Sequence, residues 1–122
     1  MPNYEEAYSN LGALQTQMGK SSQALKNFIK ARDINPHTPV YHFNVANAHQ
    51  TLEQWKEAVS SYQHVVQLNH KDMAAYTNLG VCYTQLGEKS LAFDALMMAL
   101  ELEPKNIKAK EALTDLGELQ PE

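Results

Sequence analysis

The same short pattern occurs three times in this chain at a fixed spacing of 34 residues. Its clearest copy is the stretch 74–87, AAYTNLGVCYTQLG, where an aromatic precedes Asn-Leu-Gly and a second aromatic precedes a final glycine. Moving back by one period aligns Asn78 with Asn44, and a second step reaches Asn10. Self-similarity at a period of roughly 20–50 residues is typical of repeat architectures. The chain is therefore predicted to be a repeat protein whose units pack against their neighbours.

Within each unit, apolar residues follow helical spacing in two stretches separated by a tight turn. In the first unit Tyr8, Leu11 and Leu14 recur at helical spacing, and Gly19 then supplies a helix stop. A second helical stretch ends at Pro36, because proline cannot continue a helix. The pattern predicts three helix-turn-helix units, at residues 5–38, 39–72 and 73–106.

The stretch after the third unit, residues 107–119, is predicted to be a single helix that caps the array. One side of this helix carries Ala109, Leu113 and Leu116, whereas Lys108 lies with the acidic residues on the other side. A polar-faced terminal helix is what a repeat array needs to close its last apolar surface. Residues 1–122 are therefore expected to form one domain with an all-α fold.

The second unit departs from the pattern at several positions, including His70, which replaces the proline that ends the other units. His42 stands where the other units have tyrosine, and His49 aligns with Tyr83 of the third unit. Glu53 stands where the other units have glycine at the turn. His42 and His49 are two helical turns, or about 10 Å, apart, which is too far for one metal ion without other ligands. We therefore expect no metal site, with the histidines packing in place of aromatics, and a locally weak second unit.

Charge and hydrophobicity exclude two classes of partner. The formal charge is −4 and the basic residues are scattered, which disfavours a nucleic-acid backbone as the ligand. The longest apolar run, residues 95–100, is far shorter than the roughly 20 residues that a spanning helix needs. No membrane association is expected, and the protein is predicted to be cytoplasmic, with a nuclear location left open.

No arrangement of residues suggests catalysis. The sequence has no glycine-rich phosphate loop and no nucleophile in a plausible relation to a base. Its single cysteine, Cys82, falls on the inward side of an apolar helix and is predicted to be an inert buried thiol. We therefore expect a protein that is not an enzyme and needs no cofactor.

These residues together resemble the tetratricopeptide repeat family over nearly the whole chain. The first unit matches the family pattern at Tyr8, Leu11, Gly12, Ala24, Phe28, Ala31 and Pro36. The third matches it at Tyr76, Leu79, Gly80, Tyr83, Ala92, Ala99 and Pro104, and the second at Ala46, Ala58 and Tyr62. The resemblance implies a right-handed α-solenoid with a concave groove lined by the first helix of each pair. Close helix approach is expected where Gly12, Ala46 and Gly80 face Ala24, Ala58 and Ala92.

The resemblance also implies which residues line the groove, and their chemistry suggests a ligand. Among the inward positions only Glu6 is charged. Asparagine recurs once per unit, and its amide can hold both the C=O and the N–H of a peptide backbone. The predicted ligand is therefore another protein, bound through a polypeptide segment of low charge. The candidate contact residues are Asn10, Asn44, Asn78, Phe43, Asn47, Thr77, Gln50 and Gln85.

Two alternatives concern this groove. Asparagine is common at this position across the family, so the three residues could instead reflect shared ancestry of the repeats. A carboxylate clamp of the kind that holds chaperone C-termini is disfavoured, because Ser9, Ala13, Ala74 and Asn78 leave only Asn44 of the required set.

A second candidate surface is an apolar stripe on the last helix of the third unit. Leu91, Ala95, Met97 and Met98 recur at helical spacing on a face that the other units leave polar. An exposed stripe of this kind would favour a protein partner or a homo-oligomer, unless the terminal helix folds over it. The alternatives to an adaptor are thus a self-assembling module, through this stripe or the solenoid ends, and a portion of a longer tetratricopeptide array.

Overall fold

A computed structural model describes residues 3–117, which form seven α-helices and, within that range, no β-strand. The helices are α1 (Tyr4–Gln17), α2 (Ser21–Ile34), α3 (Pro39–Thr51), α4 (Trp55–Leu68), α5 (Met73–Gln85), α6 (Lys89–Leu102) and α7 (Ile107–Leu116). The prediction of an all-α chain with three helical pairs and a terminal helix is confirmed.

Local sequence explains where several helices begin. The side chains of Asn3, Asp72 and Asn106 accept hydrogen bonds from backbone N–H groups three residues ahead, and so cap α1, α5 and α7. Pro39 is the first residue of α3, where its missing N–H costs nothing.

The turns inside the three pairs share one backbone conformation. Gly19 and Gly87 follow α1 and α5 with φ of 75° and 77°, and Glu53 takes the same left-handed region after α3 with φ of 59°. Glycine adopts this region freely, whereas a side chain makes it strained. The turn of the second unit is therefore built like the others in spite of its sequence, at a cost to stability.

The helices stack in chain order to form a solenoid. The pairs α1 and α2, α3 and α4, and α5 and α6 pack as hairpins, and each hairpin packs on the next through α2 with α3, α4 with α5, and α6 with α7. We call α1, α3, α5 and α7 the inner helices, and α2, α4 and α6 the outer helices. The cap α7 ends at Leu116, before Gly117 with φ of 84°; residues 118 and 119 of the predicted cap lie outside the described residues.

Glycine allows the inner and outer helices of a pair to approach closely in the first and third units. A Cβ atom at Gly80 would lie 2.4 Å from Cγ of Leu96, and one at Gly12 would lie 2.6 Å from Cε1 of Phe28. The atoms nearest to each glycine thus belong to the bulky side chain one turn beyond the expected Ala24 or Ala92 on the outer helix.

The histidines of the second unit have separate packing roles. His42 is buried, places Nε2 2.7 Å from the carbonyl oxygen of Pro36, and stacks on His64 with ring centroids 5.1 Å apart. His49 is half-buried and lies with Nδ1 2.7 Å from Oε1 of Gln54 at the turn. The prediction that His42 packs in the interior is confirmed.

Candidate functional site

The three repeated asparagines lie on successive inner helices, but they differ in how far they reach solvent. Asn10 on α1 is exposed, Asn44 on α3 is half-buried, and Asn78 on α5 is only 8% exposed. Access to the asparagines therefore decreases from the first unit to the third. They do not form a uniform ladder of free amides.

Asn78 is covered because the cap helix reaches it. Nζ of Lys108 on α7 donates a hydrogen bond to Oδ1 of Asn78 at 3.1 Å. Both residues line a small cleft of about 210 Å³ between α5 and α7 that also includes Met73, Ala74, Thr77 and Asn106. The sequence had placed Lys108 on the polar outer side of the cap, so this contact was missed. The repeat period could have predicted this contact, because Lys108 lies 34 residues after Ala74, which was expected to face the groove.

Asn10 and Asn44 have no comparable cover. The residues that precede Lys108 by one and two periods, Ala74 and Val40, carry no hydrogen-bonding side chain. Nδ2 of Asn44 makes one long contact, 3.4 Å to Oγ of Ser9 on α1, and the side chain of Asn10 has no hydrogen-bond partner within residues 3–117. These two amides keep most of their hydrogen-bonding capacity.

An apolar cleft of about 480 Å³ lies between the first turns of α3 and α5. Its lining comprises Thr38, Pro39, Val40, Phe43, Asn69, Asp72 and Ala74. Phe43 is half-buried and packs edge-on against Tyr62, with ring centroids 5.4 Å apart. Its ring is thus held by the core, and the cleft can take a small apolar side chain of a ligand.

The remaining predicted groove residues divide between surface and interior. Asn47 and Gln85 are exposed. Thr77 is only 2% exposed, donates its hydroxyl to the carbonyl of Met73 and accepts from Nδ2 of Asn106 at 3.1 Å. Its hydroxyl is therefore engaged at the junction with the cap, and Thr77 reaches the surface only where it lines the small cleft between α5 and α7.

Gln50 also has a structural partner. Its Oε1 accepts a hydrogen bond of 2.6 Å from the hydroxyl of Tyr62 on α4. Burial raises the pKa of Tyr62, so the phenol stays protonated and remains a donor. Gln50 is half-buried, and only the rest of its amide is available to a ligand.

The apolar stripe of α6 is exposed at three of its four predicted positions. Leu91, Met97 and Met98 are 46%, 44% and 38% exposed, whereas Ala95 is only 7% exposed and packs in the core with α4 and α5. Including Ala95 was wrong, because the adjacent hairpin covers that edge of the helix. Within residues 3–117 the cap packs through the opposite, core side of α6 and leaves the three side chains exposed.

The stripe borders a shallow depression of about 660 Å³ on the outside of α6. It is lined by Asp94, Met97, Met98, Leu100 and Glu101. Two flexible methionines between two carboxylates form an adaptable apolar contact area.

Other kinds of site have no counterpart in the described part of the chain. No group of three or more His, Cys, Asp or Glu residues there could hold a metal ion. None of the helices from α1 to α7 has the length and apolarity needed to cross a bilayer. Cys82 is fully buried, and burial raises its pKa to about 11, so it is a thiol and not a nucleophile at neutral pH.

Comparison with known proteins supports the architecture. Residues 39–106 match the profile of the YpiA-like, C-terminal tetratricopeptide repeats, and residues 5–38 match a further tetratricopeptide repeat profile. The first TPR domain of Spaghetti (RPAP3), solved with the HSP90 peptide SRMEEVD, superposes with a TM-score of 0.90 at 27% identity, over 93% of this chain and 90% of that domain.

Two curated relatives are much longer proteins. Tetratricopeptide repeat protein 37 of Xenopus laevis is 29% identical over 97% of this chain, and Superkiller complex protein 3 of Homo sapiens is 31% identical over 82%. The chain spans only 8% and 7% of their respective lengths. With three repeats matched by profile and the fold matched by structure, the chain belongs to the tetratricopeptide repeat family.

Proposed function

We propose that the chain binds a polypeptide segment of low charge along its inner helices, with Asn10 and Asn44 holding the backbone and the cleft beside Phe43 taking a side chain. The family consists of non-enzymatic protein-interaction scaffolds, and this chain is a protein-interaction module. Two observations carry the finer proposal. The amides of Asn10 and Asn44 keep most of their hydrogen-bonding capacity, and Phe43, the residue before Asn44, lines an apolar cleft. Amides bind backbone groups whatever the ligand's side chains, while the cleft supplies selectivity.

Charge supports a ligand of low charge. The ligand of the Spaghetti domain, SRMEEVD, has three acidic side chains. The inner surface of this chain carries Glu6 near one end and Lys108 at the other, and Lys108 already donates to Asn78. This surface has no cluster of positive charges that would attract an acidic peptide. The affinity for the proposed ligand should therefore depend only weakly on salt.

The test is a screen of a displayed library of short random peptides, followed by affinity measurements on one selected peptide. Asn44→Ala with Phe43→Ala should weaken its binding at least about tenfold, since a lost hydrogen bond and a lost apolar contact each cost on the order of 1 kcal/mol. Gln67→Ala, an exposed amide on the outer helix α4, is the matched control and should bind normally.

Salt provides the second readout. Raising the salt from about 50 mM to about 500 mM should change the affinity of the selected peptide less than threefold, because screening weakens only charge-dependent binding. Selection of strongly acidic peptides whose affinity collapses in salt would overturn the low-charge proposal. Equal binding by the groove variant and the control would overturn the site itself.

A second candidate is self-assembly through the exposed stripe of α6. Leu91, Met97 and Met98 give this face an apolar character that the equivalent Gln23 and Glu57 of the earlier outer helices lack. Met98→Lys should then convert a larger species to a monomer of 13.7 kDa in light scattering. An unchanged mass would remove self-assembly through this stripe.

A third proposal is that the chain acts as a portion of a longer array. The two curated relatives named above match it over only 8% and 7% of their own lengths. In that setting the groove would continue into neighbouring repeats, and the partner would contact more units than the three described here. Full-length transcript sequencing in the source organism tests it directly.

A further inference from the structure

Four side chains on the outside of α6 alternate between apolar and acidic along one line. They are spaced three, four and three residues apart, which places them on one side of the helix. All four are exposed. We call them the outer face of α6: Leu91, Asp94, Met98 and Glu101. Beside them, Met97 enlarges the exposed apolar area.

This face stays exposed whether or not further repeats follow. The residues one and two periods earlier lie on outer helices that are each followed by a complete hairpin, and they are exposed as well. They are Glu57, Ser60, His64 and Gln67 on α4, and Gln23, Lys26, Lys30 and Asp33 on α2. A further hairpin after the cap would therefore leave the outer face of α6 in solvent. None of the earlier residues is apolar, so the apolar character belongs to the third unit alone.

The two carboxylates of this face are not neutralised by the chain. Within residues 3–117 the side chains of Asp94 and Glu101 have no ion pair and no hydrogen bond. Residues 88–105, which contain α6 and its flanks, include four acidic and two basic residues. An exposed apolar surface with unpaired carboxylates favours a partner that brings apolar side chains and positive charges together.

Other occupants fit this charge less well. Anionic membranes and nucleic acids present phosphates, which the carboxylates repel. A second copy that paired through the same face would bring two more carboxylates against them, and like charges in an interface cost binding energy. An amphipathic helix with lysine or arginine beside its apolar stripe has the complementary chemistry. Methionine side chains adapt well to pack on such a stripe.

We propose that the outer face of α6 docks a basic amphipathic helix of another protein. Leu91 and Met98 pack on the apolar stripe of that helix. Its lysines or arginines pair with Asp94 and Glu101. The site lies on an outer helix, whereas the proposed groove lies on inner helices, so the two do not depend on each other. This occupant differs from the second copy considered above, and the experiment separates the two.

The probe is a fluorescently labelled synthetic helix of about 16 residues, or roughly four turns, with leucine along one stripe, lysine beside it and alanine elsewhere. A matched peptide has glutamate in place of every lysine. The glutamate peptide should bind the full chain at least about tenfold more weakly, because repulsion replaces attraction. Fluorescence anisotropy measures both affinities. Added salt should weaken the binding of the lysine peptide.

Charge reversal on the protein tests the face itself. Asp94→Lys with Glu101→Lys should weaken the binding of the lysine peptide at least about tenfold, and should make this chain prefer the glutamate peptide. Glu53→Lys with Glu111→Lys makes the same change in net charge at two exposed sites away from α6. This control should bind the lysine peptide with an affinity close to that of the parent chain. Equal losses in both variants would overturn the inference.

Further variants separate this site from the other proposals. Met98→Gln should weaken the binding of the lysine peptide at least about threefold, because an apolar contact is lost. The groove variant, Asn44→Ala with Phe43→Ala, should bind this peptide normally, so either proposal can fail alone. Absence of binding up to about 1 mM lysine peptide would overturn the inference. So would a homo-oligomer that Met98→Lys dissociates and the lysine peptide does not, since the face would then hold a second copy.

Discussion

Gly80 shows how one missing side chain sets the distance between two helices. A Cβ atom there would overlap Leu96, at 2.4 Å from its Cγ and Cδ2 atoms. We expect Gly80→Ala to lower the free energy of unfolding by about 1–3 kcal/mol, because inserting a methyl group into a packed interface forces the helices apart. Urea unfolding followed by circular dichroism measures the change.

The partner of Gly80 provides the check. Combining Gly80→Ala with Leu96→Ala should cost less than the sum of the two single substitutions, because the smaller side chain makes room for the new methyl group. Additive losses would contradict direct packing of these two residues.

His42 makes stability depend on pH in a defined direction. Burial lowers the pKa of its imidazole from the ordinary 6.5, and the nearby His64, Arg32 and His37 add to this effect against the opposing hydrogen bond to Pro36. Below about pH 6.5 His42 is protonated in the unfolded chain but stays neutral in the folded chain until the pH reaches its lowered pKa. The free energy of unfolding should therefore fall as the pH drops from 6.5 through the lowered pKa, and level off below it.

Replacing the histidine isolates its contribution. His42→Tyr introduces the residue found at the equivalent Tyr8 and Tyr76, so melting temperatures between pH 7 and pH 5 should vary less than in the parent chain. His70→Gln, at an exposed histidine, should leave the pH dependence as it was. The same slope in all three proteins would exclude His42 as its source.

At the scale of the helical elements, the turn between α3 and α4 is the weakest in sequence terms. Glu53 has φ of 59°, in the region where Gly19 and Gly87 serve the other hairpins. Glu53→Gly should raise the free energy of unfolding by up to about 1 kcal/mol. The left-handed conformation costs a residue with a side chain roughly 1–2 kcal/mol, and glycine avoids this strain. Glycine also loses more conformational entropy on folding, which cancels part of the stabilisation. Thermal unfolding gives the shift.

A glycine-to-alanine substitution in the turn of the first hairpin serves as the control. Gly19→Ala places a side chain at a φ of 75° with open space around it, so any loss reflects backbone strain alone. It should destabilise the protein by a similar amount. Stabilisation by Gly19→Ala would show that the strain argument fails for these turns.

The helices could be predicted from the sequence because their signals are local, but their facing surfaces could not. Spacing of apolar residues indicated every helical pair, and glycine stops marked the turns of the first and third pairs. Ala95 was expected outside and Thr77 in the groove, yet both are buried, because burial depends on how the next hairpin is rotated. Lys108 was placed on the polar side of the cap and is exposed there, but its hydrogen bond to Asn78 on the neighbouring inner helix was missed for the same reason. The spacing of residues along a helix determines which of them share a face. Whether that face contacts another helix or solvent depends on how the helices pack.

At the scale of the whole molecule, Cys82 reports on the integrity of the stack. It is fully buried at the contact between α4 and α5, and its pKa is raised to about 11. At pH 8 roughly one thiol in a thousand is then ionised, so a disulfide reagent should modify the folded chain at least about a hundredfold more slowly than the urea-unfolded chain. Absorbance of the released thiolate measures both rates.

The dependence of this rate on urea tells local opening from global unfolding. If the hairpins separate only when the whole chain unfolds, the rate should rise with urea as steeply as the equilibrium constant for unfolding. Rapid modification without urea would show instead that α4 and α5 part while the other helices remain folded.

The order in which the helices pack also has a kinetic consequence. Each helix contacts chiefly the helix before it and the helix after it in the chain, so forming the native contacts requires the closure of short loops only. Chains with such local contacts cross a low entropic barrier and commonly fold within microseconds to milliseconds. A newly made copy of this protein would therefore expose its apolar faces only briefly before they are buried.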